Sequence, residues 1–305
     1  MKIVVVGSSN TDMIVKTAKM PKPGETVIGG TFSMAAGGKG ANQAVAAARA
    51  GGKVTFVARV GSDLFGSQAI KGFKADRINV KYVVRDKKAA SGVALIFVDA
   101  EGENSIAVAS GANAELSAAD VRKAKSAIAM SDVLLMQLET TLATVEAAAE
   151  IAGRNHIPVI LNPAPAQLLP DALLKKISVL TPNEHEAELL AGIAVHSEED
   201  AAQAADVLMA KGVDTILITM GAKGTYVHAE EFRGLIQGYT VKAVDTTAAG
   251  DVFNGAFAVA FAEKRPLRDA VRFANAAAAL SVTKIGAQPS APNRGEIEAF
   301  QRKHP

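Results

Sequence analysis

The sequence predicts an α/β protein whose mostly parallel sheet is sandwiched by helices. Short, uninterrupted apolar runs alternate with longer Ala-rich runs, as expected for parallel strands buried on both faces and joined by covering helices. The chain has 305 residues, 49% of them hydrophobic, enough for one domain with a large core. Two stretches, residues 12–35 and 90–109, break the rhythm with β-branched alternation around turn signals. They read as extra strands outside the main sheet.

In chain order, residues 3–6 form the first strand, because the run Ile3-Val4-Val5-Val6 is short and ends at Gly7. That shortness separates it from a signal peptide. Further strands are expected at 55–60, 133–137, 159–162, 179–181 and 215–219, and helices at 41–50, 144–155, 184–191 and 200–211. Pro21-Lys22-Pro23-Gly24 and Asp99-Ala100-Glu101-Gly102 supply turns within the two irregular stretches. The Ala-rich run 272–280 fits a closely packed helix. Neither a long linker nor a repeat interrupts residues 1–305, so a single domain is expected.

Composition excludes several classes. A net charge of +2 without a Lys/Arg run argues against nucleic acid or an anionic membrane as partner. Cysteine is absent, which removes disulfides, thiolate metal sites and a catalytic thiol. The five histidines, His185 included, lack metal-ligand spacing. No apolar segment approaches membrane-span length, and a cytoplasmic enzyme is the expectation.

Chemistry concentrates in Asp245-Thr246-Thr247-Ala248-Ala249-Gly250-Asp251, which runs into an apolar, Ala-rich helical segment. Free amides at a helix N-terminus attract anions. A carboxylate among phosphate-binding amides makes sense if it takes a proton from a hydroxyl attacking that phosphate. Taken alone, Asp245 and Asp251 read as helix-capping or first-turn acids. A second element tells the same story: Ala35-Ala36-Gly37-Gly38-Lys39-Gly40-Ala41-Asn42-Gln43-Ala44-Val45 removes side-chain bulk and places Lys39 and Asn42 among the glycines. Its spacing is not that of a P-loop.

Together these segments resemble the two signatures of the ribokinase (PfkB) family of carbohydrate and nucleoside kinases. The resemblance continues through Gly7-Ser8-Ser9-Asn10-Thr11-Asp12, Pro23-Gly24-Glu25-Thr26, Ser91-Gly92-Val93-Ala94 and Gln137-Leu138-Glu139. It extends to Asn162-Pro163-Ala164-Pro165-Ala166, Thr181-Pro182-Asn183-Glu184-His185-Glu186 and Gly286-Ala287-Gln288-Pro289-Ser290.

The resemblance implies a ribokinase-like fold in which stretches 12–35 and 90–109 form a small β-sheet lid, with homodimerisation through that lid. It implies ATP-dependent phosphorylation of D-ribose at the 5-hydroxyl, with Asp251 as base and the amides of Ala248, Ala249 and Gly250 receiving the phosphoryl charge. Asn10, Asp12, Gly38, Lys39, Asn42 and Glu139 are then the sugar-binding set. Without the resemblance, Asn10 and Asp12 read as an Asx turn at a strand end. Asn183 and Glu186 fit a helix capping box, and the family also uses this motif to organise Mg²⁺ and phosphates through water. Thr219, Gly221, Lys223 and Gly224 could form a simple hairpin turn, but resemble the stretch that runs along the nucleotide. Asn275 matches a position bordering the adenine that is often His in relatives.

The resemblance also implies an activating K⁺ near Asp245, Thr247, Ser281, Lys284, Gly286 and Ser290. Val252 departs from the Thr often found after the catalytic Asp. Having both Asn10 and Asp12 favours ribose over 2-deoxyribose, and the scarcity of aromatics near the sugar motifs disfavours a nucleoside. The rival from another class is a catalytically silent sugar-binding regulator on the same fold.

Overall fold

The computed structural model describes residues 1–304. The first half of the chain runs β1 (Lys2–Val6), β2 (Asn10–Lys16), β3 (Thr31–Gly37), α1 (Lys39–Arg49), β4 (Lys53–Gly61), α2 (Leu64–Ala75), β5 (Asn79–Asp86), β6 (Gly92–Val98) and β7 (Asn104–Ala109). It continues with α3 (Ala118–Lys123), α4 (Lys125–Ala129), β8 (Val133–Met136), α5 (Leu142–Arg154), β9 (Val159–Leu161), α6 (Asp171–Leu174), β10 (Val179–Leu180), α7 (Glu184–Ala191) and α8 (Glu198–Ala210). The hairpin β11 (Thr215–Thr219), β12 (Gly224–His228), β13 (Arg233–Gln237) precedes α9 (Ala249–Ala262), α10 (Leu267–Ser281) and α11 (Arg294–Lys303).

Nine strands form the main sheet in the order β13-β12-β11-β10-β9-β8-β1-β4-β5. Pairing is parallel from β11 to β5, and β12 and β13 add an antiparallel edge. The alternation in β1 shows why both faces are covered. Ile3 and Val5 join Phe56, Phe257 and Phe273 in one core, while Val4 and Val6 join Leu134, Val145 and Leu208 in the other.

The expected helices are present, but three begin two residues early because their caps decide the boundary. Ser197 and Thr141 accept from the Asp200 and Thr144 amides and start α8 and α5. Helix α1 starts after Gly38, whose φ of 89° turns the chain sharply out of β3.

A second sheet has the order β3-β2-β6-β7 and draws its strands from the two irregular stretches. Its β6–β7 turn is closed by Asp99 Oδ1, which accepts from the Glu101 and Glu103 amides at 3.1 and 2.9 Å. Asn10 pairs with both Gly37 and Gly92, so the base of this sheet sits at the C-terminal end of β1.

Close helix packing links the fold to the site. A Cβ added at Gly255 of α9 would lie 2.6 Å from both Ala46 Cβ and Gln43 O of α1. Glycine there lets the two helices approach until α1 side chains reach the first turn of α9.

Candidate active site

Asp251 lies in the first turn of α9 and is only 5% exposed. Asn42 Nδ2 donates to its Oδ2 at 2.9 Å, and Gln43 Nε2 donates to its Oδ1 at 3.0 Å. Burial raises its pKa, opposed by the Lys39 charge and by these two hydrogen bonds. Asn42 Oδ1 is buried without a partner, an acceptor left over beside the carboxylate.

The helix end above Asp251 is held open. Ala248 adopts a left-handed conformation, φ 60° and ψ 15°, and caps α9 without a side-chain hydrogen bond. Such a strained residue is retained where the surrounding structure fixes it. The Ala249 N–H closes onto Thr246 O at 3.2 Å. That differs from the sequence expectation, because the amides without a protein acceptor are those of Ala248, Gly250 and Asp251.

A cavity of about 190 Å³ lies against these amides, lined also by Lys39, Asn183, Glu186 and Thr219. Asn183 and Glu186 form the expected capping box, at 2.9 and 2.8 Å, using Glu186 Oε2 and leaving Oε1 free. Burial raises the Glu186 pKa against the hydrogen bond from the Asn183 amide. Burial also works against the charge on Lys39, but Asp251, Glu139 and Glu186 outweigh it and hold the ammonium above its usual value. Lys39 makes no ion pair within 4.0 Å among the described residues, so its charge is available to an anion.

The residues expected to bind sugar gather at the base of the second sheet. Burial first, then Glu139 and Asp251, push the Asp12 carboxyl up to about 6. Glu139 Oε2 accepts from Ser8 Oγ at 2.5 Å and from the Lys39 amide at 2.9 Å. Asn10 Oδ1 accepts from Asn113 Nδ2 at 2.7 Å, and Asn113 Oδ1 is in turn fixed by the Ser9 amide at 2.9 Å. Asn10 therefore has its oxygen committed and its Nδ2 free to donate. A Cβ at Gly37 would meet Asp12 Oδ2 at 2.2 Å, and one at Gly38 the Asn10 amide nitrogen at 2.6 Å. Both glycines are needed for the close approach.

The remaining expected residues sit further out. Gly221 and Gly224, with φ of 54° and 113°, shape the β11–β12 turn, and Lys223 Nζ reaches His196 O at 2.9 Å. Asn275 is buried, accepting from Thr225 Oγ1 at 2.8 Å and donating to Ile236 O at 3.3 Å. It ties α10 to β12 and β13 and does not line the Asp251 cavity. Asp245 joins the loop before α9 to the loop before α11 through the Thr247 and Gly286 amides at 2.9 and 2.8 Å. Burial opposes its ionisation, but these bonds hold its carboxyl below the usual range. The Ser281 and Ser290 hydroxyls are buried and donate to the Ala278 and Ala287 carbonyls, while Lys284 Nζ pairs with Glu296.

Sequence reasoning gave no role to Ser8, Gln43, Asn113 or Asn162. Gln43 and Asn162 stood inside the quoted motifs, whereas Asn113 carried no local signal.

A buried carboxylate under free helix-terminal amides, beside an unpaired lysine and a polar rim, has the chemistry of a small-molecule phosphotransferase site. Residues 1–294 match the pfkB family carbohydrate kinase family, and the chain belongs to it. It is similar to the ribokinase of Haemophilus influenzae, 49% identical with 98% of this chain and 97% of the relative covered. It is also similar to the deoxyribokinase of Salmonella typhi, 40% identical with 98% and 97% covered. Among solved structures, the ribokinase of Arabidopsis thaliana complexed with ribose and ATP superposes with a TM-score of 0.90. That structure is 33% identical and covers 98% of this chain and 97% of its own. No helix among the described residues is long and apolar enough to cross a membrane.

Proposed function

We propose that the protein transfers the terminal phosphoryl group of MgATP to the 5-hydroxyl of D-ribose. The observation that carries this is Asp251, buried beneath the free Gly250 and Asp251 amides and flanked by the unpartnered Asn42 Oδ1. The substrate hydroxyl loses its proton to an Asp251 oxygen as its own oxygen attacks phosphorus, a general-base contribution on the order of 10²–10⁴ in rate. The amides of Ala248, Gly250 and Asp251, with the Lys39 ammonium, stabilise the charge on the moving phosphoryl group. By analogy with oxyanion holes, each such donor is worth about 3–4 kcal/mol.

On the sugar, Asp12 accepts from adjacent hydroxyls and Asn10 Nδ2 donates, while Gly38 and Glu139 complete the rim. A 2-deoxy sugar would leave one of these groups unpaired, which favours ribose. The similarity to a deoxyribokinase keeps 2-deoxyribose as the second reading. The test is ADP release from MgATP with ribose, 2-deoxyribose, fructose and adenosine in parallel. Selective turnover of ribose supports the proposal, and selective turnover of another acceptor moves the specificity.

No group of three or more His, Cys, Asp or Glu among the described residues could enclose a metal. The single free oxygen of Glu186 suits Mg²⁺ arriving on the nucleotide and keeping its waters. When bound, that ion neutralises phosphate charge. We assign an activating monovalent cation to the two loops joined by Asp245, near Thr247, Ser281, Lys284, Gly286 and Ser290; the support is that Asp245 ties these loops together and that the Ser281 and Ser290 hydroxyls are buried beside them. The Lys284 side chain is occupied elsewhere. Potassium should activate over sodium at matched ionic strength; equal rates would remove this assignment.

The smaller sheet serves as a lid whose pairing puts Phe32, Met34 and Leu95 outside the face that carries Asp12. These side chains are 61%, 52% and 47% exposed, an apolar surface suited to a homodimer. Light scattering should give a dimer that Phe32→Asp with Leu95→Asp dissociates; a monomeric parent would refute it.

A further inference from the structure

The base is gripped from below by groups that the reaction itself does not use. Gln43 and Gln137 are both 0% exposed and Asn162 is 7% exposed. Asn162 Nδ2 donates to Thr181 O at 3.0 Å, a backbone carbonyl that can only accept. That contact fixes the Asn162 amide, so its Oδ1 faces Gln43 and receives Gln43 Nε2 at 3.1 Å. The same Nε2 donates to Asp251 Oδ1 at 3.0 Å. On its other side, Gln43 Oε1 accepts from Gln137 Nε2 at 2.5 Å.

The chain has one consistent polarity. Turning the Gln43 amide over would set its oxygen against both the Asp251 carboxylate and Asn162 Oδ1. We propose that Gln43 is a positioning residue: Asn162 and the Asp251 carboxylate together fix its amide, which aims that carboxylate at the cleft and keeps its Oδ1 an acceptor, while Gln137 Nε2 backs it from the far side. Asn42 and Gln137 differ, since each has an oxygen that is buried without a partner and an amide that is free to turn. The proposal rests on Asp251 acting as the base.

A donor held against a carboxylate favours its ionised form, and the charged groups that bear on Asp251 are Lys39 of α1, Glu139 beyond β8, Glu186 of α7 and Asp12 of β2. In Gln43→Met the shape is nearly kept and the donor is lost. The acid limb of the single-turnover rate should then move to higher pH by about one unit, with a tenfold loss on the acid side that recovers in alkali. The ribose KM should stay within about twofold. Gln43→Glu, which adds a second carboxyl, should move the limb further. Gln137→Met should move it less, and the double variant Gln43→Met with Gln137→Met should match Gln43→Met alone, because both act through one contact.

A uniform loss at every pH with an unmoved limb would overturn the proposal, as would additive single effects. If Gln43→Met does not fold, Gln137→Met carries the same limb test with Gln43 intact. Asp251→Asn separates the two readings. Activity retained there defeats the base assignment, whereas activity lost there with an unmoved limb in Gln43→Met and Gln137→Met defeats only the positioning role.

Discussion

Replacing Asp251 by Asn changes one atom, and the structure says how the site would accommodate it. Gln43 cannot turn, so the new amide must aim its oxygen at Gln43 Nε2 and its nitrogen at Asn42. Asn42 now offers Nδ2 at 2.9 Å, which would oppose the new NH₂ group, but its Oδ1 is buried and unpartnered. A half-turn of the Asn42 amide resolves the clash without moving backbone. The fold therefore survives while the proposed base is lost. A factor of 10²–10⁴ in kcat corresponds to about 3–5 kcal/mol of barrier. The turned Asn42 shows the sugar a donor in place of an acceptor, so the ribose KM should rise several-fold, about 1 kcal/mol for one neutral hydrogen bond. Thermal stability should change with a definite sign. Burial raises the Asp251 pKa above 3.8, so its favourable contribution exists below that value and disappears as pH rises through the folded pKa. As pH rises through the folded value the parent comes to hold a buried charge that the variant lacks, so Asp251→Asn should gain stability relative to the parent with rising pH and lose that gain in acid. ADP release and a series of melting curves from acid to alkaline pH test both parts. A kcat within tenfold of the parent would refute the reasoning.

Asp12, pushed from 3.8 to about 6, should make ribose binding pH-dependent. Acceptance of sugar hydroxyls needs the ionised form, so titration calorimetry should show affinity falling up to tenfold per unit below pH 6, and a flat profile would exclude Asp12 as ligand. Its raised pKa also means that its stabilising contribution, present below pH 3.8, is lost as pH rises through 6, by at most about 3 kcal/mol. Gly255→Ala would set a methyl 2.6 Å from Ala46 and Gln43 O. Because helix α1 must then retreat, stability should fall by about 1–3 kcal/mol and kcat by a larger factor than KM; unchanged kinetics would show that the α1–α9 spacing does not control Asp251.

The parallel sheet was legible because its strands are buried on both faces and read as unbroken apolar runs. Strand β5 was not, since it lies at the sheet edge and Lys81, Arg85 and Asp86 interrupt its pattern. The β12–β13 hairpin was hidden by its glycines, among them Gly224, where a Cβ would meet Ile236 O at 2.2 Å. Helix starts were misplaced by two residues wherever the apolar pattern was followed in place of the cap. At the site, Asp251, Asn42 and Lys39 could be found from glycine-rich context, because the need for bare backbone near an anion is a local property. The roles of Gln43, Asn162 and Asn113 could not, because each is defined by contacts that span a long stretch of chain.

Asn113 shows what such distance conceals. It lies just beyond β7, at the foot of the lid, and fixes the orientation of Asn10, more than 100 residues earlier. A Cβ at Gly92, the first residue of β6, would come within 2.2 Å of Asn10 Oδ1 and 2.3 Å of Asn113 Nδ2. One amide contact therefore joins the ends of three lid strands to a side chain proposed to bind the sugar. Any movement of the lid that disturbs Asn113 also releases the Asn10 amide, so lid position and the donor pattern offered to the sugar are a single structural variable. A sequence read locally registers only a glycine, an asparagine in a turn, and an asparagine at a strand end.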